Sequence, residues 1–448
     1  MIKKRLLVLL LAAVMAVSMM ACGGGANKDA GADTSKQTDT AGDDNSKEKE
    51  TEAPPEKVTL QVWIFGTTGY DELSQKYTEA NPHVTLEFNS IASGDHHDRL
   101  FTALSAGTGA PHVTQIDVDY MPRFRETQNV FYNLYDFGAN EIKDLYLEWK
   151  WNLGLGVDDS FLIALPTDIG PTAAYYRMDV FEEAGLPSDP DSVGKLISTW
   201  EKFKETARTI KQKTGKPMSD SVELVFNALR DQAQEQYFNE KDELIIENSP
   251  YIKQAYDFTV SMIKEGLLGT YSLWETEWNA GMSSGSYATL LAPAWMAGVI
   301  MGNAPDATKW CITSMPEGAG NWGGSFMAIP KQCSEAEAKE AYNFIKWLCA
   351  PEQQVESFKM AGLFPCAIAS LDDATLASTP VGDGYFNGAT AGVFAEAAKQ
   401  IKDVYKGKHY PVANAEIVKA LYTVALEGAD PEAEWAKAVE AIKNAIRE

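Results

Sequence analysis

From Val58 onward the chain changes its hydrophobic period in the order that a parallel sheet with covering helices demands. Val58-Thr-Leu-Gln-Val-Trp-Ile-Phe65 puts Val58, Leu60, Val62 and Ile64 on one face and Thr59, Gln61, Trp63 and Phe65 on the other, the two-residue period of a strand. Gly66 to Gly69 turn the chain; Tyr70, Leu73, Tyr77 and Ala80 then recur at helical spacing until Asn81-Pro82 stops them. Residues 84–89 read as a second strand, 97–106 as a helix with Leu100, Phe101 and Leu104 on one face, and 112–118 as a third strand ending at Asp119. The expected fold class is therefore α/β.

Residues 161–166 read as a further short apolar strand, followed by Asp168 and Gly170-Pro171. Beyond it the pattern becomes mainly helical. Ser198 and Glu201 form a capping box ahead of Trp200, Phe203, Ala207 and Ile210, and Ser334 and Glu337 another ahead of Ala338, Ala341, Ile345 and Leu348. Ser249 with Pro250 opens a long helix that Gly266 ends, and 287–291 returns to strand character. The stretch after residue 57 is longer than one core ordinarily holds, so two domains are expected.

The amino terminus has the layout of a secretory signal: Lys3, Lys4 and Arg5, an apolar run over 6–20, and the small residue Ala21 before Cys22. The run is shorter than the ~20 residues of a spanning helix. Met19-Met20-Ala21-Cys22 resembles a bacterial lipobox, with Met19 where Leu is usual. Residues 1–22 are thus expected to be a lipoprotein signal peptide with lipidation at Cys22, placing the mature protein on the extracellular face of the cell membrane. The alternative is ordinary cleavage near Ala21. Residues 23–57 are mostly Gly, Ala, Asp, Ser, Thr, Lys and Glu without apolar periodicity, which predicts a disordered tether.

A formal net charge of -24 argues against nucleic acid or anionic lipid as the partner of the folded part. Cys311, Cys333, Cys349 and Cys366 match no zinc spacing and are too sparse for a disulfide framework, so buried thiols are expected, with one disulfide left open. His96-His97 lacks a third ligand at useful spacing, and no metal or cofactor is expected. No Walker motif is present in the sequence.

In order along the chain, Leu60-Gln-Val-Trp63, Asn81-Pro82 at a helix end, Thr102-Ala-Leu-Ser-Ala-Gly107 with Ala110-Pro111, Leu165-Pro-Thr-Asp168 with Gly170-Pro171, Asn321-Trp-Gly-Gly-Ser325 and Pro351-Glu-Gln353 resemble one family. It is the extracellular solute-binding proteins, family 1, of carbohydrate ABC importers, related to maltose-binding protein. His112 stands where that family commonly has Asp. The resemblance implies a two-lobed type II binding-protein fold with a hinge and an interlobe ligand cleft. The lobes it implies are residues 58–167 plus 293–329 and 168–292 plus 330–448. It further implies a monomer that is not an enzyme, with a carbohydrate and permease subunits as partners, touching the membrane through its lipid anchor alone.

A neutral sugar presents hydroxyls at its rim, suited to carboxylates, and C–H groups on its faces, suited to aromatic rings. Trp63 ends the first strand, Asp119 and Tyr120 stand at a strand-to-loop junction, and Asp168 lies in the segment crossing between lobes. Trp274 and Trp278 share a face if helical, Trp295 follows Pro293 and a strand, and Trp322 adjoins Gly323-Gly324, whose missing side chains admit a ligand. These eight are the expected sugar-binding residues; Trp149, Trp151, Trp200 and Trp347 are assigned to packing. Rival readings are a surface-anchored glycoside hydrolase or polysaccharide lyase, the same fold holding a polyamine or glycerol phosphate ester, and the ligand domain of a chemosensory receptor.

Overall fold

The computed structural model describes residues 56–447. The segments expected to be a signal peptide, a lipidation site at Cys22 and, but for its last residues, a tether lie outside the described residues. Eight strands are present among them: β1 (Val58–Phe65), β2 (Val84–Ile91), β3 (Val113–Asp117), β4 (Ala164–Pro166), β5 (Thr172–Arg177), β6 (Thr289–Pro293), β7 (Trp310–Thr313) and β8 (Ser325–Ala328). The helices that bear on the argument are α1 (Ser93–Ala106), α2 (Glu148–Leu153), α3 (Trp200–Thr214), α4 (Val222–Asp231), α5 (Pro250–Lys264), α6 (Thr276–Ser284), α7 (Glu335–Leu348), α8 (Pro351–Ala361), α9 (Gly392–Ala398), α10 (Tyr410–Glu427) and α11 (Pro431–Ala445).

The strands form two sheets, ordered β2-β1-β3-β8-β4 and β6-β5-β7. In the first, β2 and β3 run parallel to β1, while β8 is antiparallel to both β3 and β4. The carboxyl ends of β1, β3 and β4 therefore share an edge with the amino end of β8. In the second, both neighbours of β5 are antiparallel to it, so the start of β5 shares an edge with the ends of β6 and β7. The chain passes directly between these two edges through 167–171 and 314–324, which brings them face to face, and a third passage after residue 371 leads to α9 on β5.

The two crossing segments are joined to each other. Pro171 and Asn321 form an antiparallel bridge, the Trp322 amide donates to the Gly170 carbonyl at 2.9 Å, and the Gly170 amide donates to Asn321 Oδ1 at 2.9 Å. Gly170 is obligatory here, since a methyl group on it would overlap the Trp322 carbonyl oxygen.

The alternation in β1 works as its sequence predicts. Leu60, Val62 and Ile64 are buried in the main core, where Phe344 of α7 meets Tyr77 and Phe88. Trp63, on the opposite face, lies beneath α1. A second apolar cluster fills the space under α1 with Leu100, Leu104, Ile116, Phe124, Phe131 and Phe326. On the second sheet, α4 packs against α5 and α10, and α10 against α11. The Ser334–Glu337 capping box forms with both of its bonds.

Three local expectations need correction. The helix over 70–80 is two pieces, Tyr70–Leu73 and Gln75–Ala80. The cap of α3 is Thr199, whose hydroxyl accepts from the Lys202 amide, while Ser198 takes the Lys202 ammonium instead. Ser249 occupies the cap position of α5 without a side-chain bond, its hydroxyl buried and unpartnered. Strand pairing also redraws the division of the chain implied by the family resemblance. β7, within the 293–329 assigned to the first lobe, is hydrogen-bonded to β5 in the second sheet. α7, within the 330–448 assigned to the second, packs on β1. Long-range pairing decides both placements. Cys311, Cys333, Cys349 and Cys366 are all free thiols.

Candidate functional site

The facing sheet edges gather most of the residues singled out above. Past the end of β3, the Asp119 amide donates to Asp117 Oδ1 at 2.8 Å, which turns the chain, and Asp119 Oδ1 accepts from the Lys406 ammonium at 2.6 Å. The Tyr120 ring stacks flat on His97, with centroids 3.8 Å apart and planes 6° from parallel. His97 is itself locked: its Nδ1 donates to the Ser93 carbonyl at 2.6 Å, and its Nε2 accepts from the Asp117 amide at 3.0 Å. Burial holds the His97 pKa down at about 3, so the ring is neutral. Burial, together with the like charge of Asp119, pushes the Asp117 carboxyl up to about 7.

On the opposing edge three indoles form a row. Trp295, just beyond β6, donates from Nε1 to the Trp322 carbonyl at 3.3 Å, and the two rings meet edge to face at 5.1 Å. Trp274 stacks on Trp295 with centroids 6.1 Å apart and planes 23° from parallel. Trp295 and Trp322 are half-buried, whereas Trp274 is 54% exposed and has φ +72, a left-handed backbone that costs a bulky residue roughly 1–2 kcal/mol. Gly323 lies against Trp295, and a side chain there would crowd the indole nitrogen.

The structure does not bring the other three expected residues to this edge. Trp63 is 6% exposed, under the Arg99 guanidinium at 3.8 Å and against His96, because α1 covers that face of β1. Trp278 is fully buried and donates to Asp220 Oδ2 at 2.6 Å. Trp274 precedes α6 rather than sharing its face, although the two rings still meet at 5.1 Å. Asp168 is internal: it accepts from the Thr167 hydroxyl at 2.7 Å and the Ser325 amide at 2.9 Å, and so ties one crossing segment to the start of β8. Beside it Lys150 is buried with no hydrogen-bond partner for its ammonium, which sits 3.7 Å over the Phe326 ring. Burial lowers the Lys150 pKa to about 8, against the pull of Asp168.

Between the edges lies a cavity of about 50 Å³. Val118, Met121, Arg125, Trp149 and Leu153 line it from the first sheet's side, Asp231 and Gln236 from the second's, with Asn321 of a crossing segment and residues 402–406. Its wall is anchored by Arg230, fully buried, which is held by both oxygens of Asp231 at 2.9 Å and by Asn227 and Asn414. Ligand cavities usually measure about 300–1,000 Å³, so this one is too small to hold an oligosaccharide as it stands. A larger groove of about 720 Å³ runs along Thr313, Ser314, Glu317 and α9, and none of the eight expected residues lines either this groove or the smaller cavity.

Sequence reasoning missed Arg125, Asp231, Gln236, Tyr405 and Lys406, and left Trp149 to packing. The one local signal was the polar run 402–409 with Tyr405 inside it, between two helical stretches. Among the described residues no group of three or more His, Cys, Asp or Glu side chains is placed to hold a metal ion, and no helix is long and apolar enough to cross a membrane.

Residues 72–381 match the sequence pattern of the bacterial extracellular solute-binding proteins, more than half of the chain. The chain belongs to that family. It is a family of solute binders and not of catalysts. The chain is similar to the arabinooligosaccharide-binding protein of Bacillus subtilis (strain 168), 27% identical over 314 residues that cover 65% of this chain and 69% of that one. The lactose-binding protein of Rhizobium radiobacter is 25% identical over 315 residues, 66% of this chain and 71% of that one. Among solved structures, an extracellular solute-binding protein of family 1 superposes with a TM-score of 0.77 at 30% identity, covering 87% of this chain and 99% of its own. The α/β architecture is thus that of the family.

Proposed function

We propose that this solute-binding protein captures an oligosaccharide between its two sheet edges and delivers it to the permease of an ABC importer, tethered to the cell surface through Cys22. The cluster of indoles Trp274, Trp295 and Trp322, with the carboxylate of Asp119 past the end of β3, carries the reading. Rings of this kind cover the apolar faces of a sugar while losing little side-chain entropy. Asp119 has one oxygen engaged by Lys406, and its second is the acceptor for a sugar hydroxyl. The two relatives named for arabino-oligosaccharides and for lactose support a saccharide ligand over a polyamine or a phosphate ester.

In this reading the two halves are α/β lobes that close on the ligand, the first built on 58–166 with 325–371 and the second on 172–313 with 392–447. Ligand shifts the population toward the closed form by its greater affinity for it. Titration calorimetry with arabinotriose, lactose and a wider saccharide panel tests the proposal. At least one sugar should bind with a Kd in the micromolar range, about −8 kcal/mol. Trp295→Ala should weaken that binding by about 2 kcal/mol, roughly thirtyfold. Failure of every saccharide, with binding of a polyamine or phosphate ester instead, refutes it. Fractionation of cells carrying Cys22→Ala tests the anchor: the variant should leave the membrane fraction, and an unchanged distribution removes the anchor.

A further inference from the structure

The segment between α9 and α10 crosses the cavity without regular structure over 401–407. Its seat is on the second sheet's side. Gly407, at φ +80, is packed so closely on Phe238 and Asp242 that a side chain would collide with both. The Lys408 amide donates to Asp242 Oδ1 at 3.2 Å, and the Lys402 ammonium donates to the Gln232 carbonyl at 2.7 Å. Tyr410, which follows, packs on Tyr237 with ring centroids 5.6 Å apart. All of these partners lie within 232–242, directly after α4.

Two side chains reach the other way. Lys406 bonds Asp119 at 2.6 Å, and Lys408 bonds Glu126 at 2.7 Å. Asp119 and Glu126 follow β3, on the first sheet's side. The first pair is well shielded, with 12% and 21% of the two side chains exposed; the second is more open, at 33% and 56%. Salt therefore weakens both pairs, the second more than the first.

We propose that residues 401–409 are a strap that belongs to the second half of the molecule and latches it to the first through Lys406 and Lys408, holding the cavity closed before any ligand arrives. The proposal rests on the closure of two lobes put forward above. Lys406 also acts as a positioning residue: it fixes one oxygen of Asp119 and leaves the other aimed at incoming solute. The closed form is favoured by two ion pairs, so its population falls as salt rises, and the apparent affinity of any ligand that selects this form falls in proportion.

The experiment compares the wild type with the double variant Lys406→Met/Lys408→Met and with Lys437→Met, which removes a lysine from a surface pair on α11. Small-angle scattering without ligand in 50 mM and 500 mM NaCl gives the deciding reading. The wild type and Lys437→Met should be compact in low salt and expand in high salt, and the double variant should be expanded in both. Calorimetry with arabinotriose and lactose should show about tenfold weaker binding for the double variant in low salt, with the gap closing in high salt. A double variant whose low-salt scattering matches the wild type overturns the latch, whatever its affinity. If the wild type binds no saccharide, the sugar reading fails while the scattering comparison still decides the latch.

Discussion

His97 makes the stability of this fold depend on pH in a way that can be calculated. Its neutral ring uses both nitrogens, donating to Ser93 and accepting from the Asp117 amide, and its face supports Tyr120. A second proton would sit on Nε2 and confront the Asp117 N–H. Burial accordingly lowers the pKa from 6.5 to about 3. The unfolded chain takes up this proton near pH 6.5, and the folded chain only near pH 3. The stability that neutral His97 contributes is therefore complete above pH 6.5 and is lost as pH falls toward 3, at about 1.4 kcal/mol per pH unit in mid-range. Over the full interval the loss approaches ~5 kcal/mol. His96 is also depressed by burial and acts in the same direction, so the informative quantity is a difference between two proteins. His97→Phe keeps a flat ring against Tyr120 but cannot be protonated. It should cost about 1–3 kcal/mol at pH 7, where it leaves the Asp117 amide unpaired. Urea unfolding at several pH values between 4.5 and 7 should show that deficit shrinking by about 1.4 kcal/mol for each unit of acidification. Parallel stability curves for the two proteins across that range would refute the reasoning.

Other substitutions test separate parts of the site. Arg230→Met strands the buried Asp231 carboxylate and should cost about 3–5 kcal/mol; for about 390 folded residues this lowers Tm by about 4–6 °C by calorimetry. Asp231→Leu in the same chain should restore most of that loss. Gly170→Ala pushes the Trp322 carbonyl away and should cost about 1–3 kcal/mol in urea unfolding, with weaker saccharide binding in titrations. Trp274→Gly relieves a left-handed backbone at an exposed position, so Tm should stay the same or rise while saccharide binding weakens.

The sequence carried the local part of this structure well and the distant part poorly. β1 was legible to the residue because its alternation is unbroken and Gly66 ends it, and the Ser334–Glu337 box was legible because both of its bonds are local. The cap of α3 was misplaced by one residue, since Ser198 and Thr199 offer the same hydroxyl and the first turn selects Thr199. Membership of β7 in the second sheet depends on pairing with a strand more than 130 positions earlier, about which no short window carries information. The tryptophans divided on the same ground. Nothing adjacent to Trp278 or Trp63 reveals that a helix or a buried carboxylate will enclose it, while Trp295 and Trp322, singled out through neighbouring Pro and Gly residues, are half-buried and in contact with each other. Lys406 was out of reach altogether, 287 positions from its partner Asp119.

The ladder between Gly170 and Trp322 constrains how the molecule can deform. A lone peptide connection can swivel about its single bonds in many directions, whereas two connections stitched side by side make a narrow ribbon that resists shear and twist and yields easily only across its own plane. In the closure put forward above, this ribbon favours flexion about one axis, and Trp322, carried on it, travels less than Lys406 or Lys408 out on the strap.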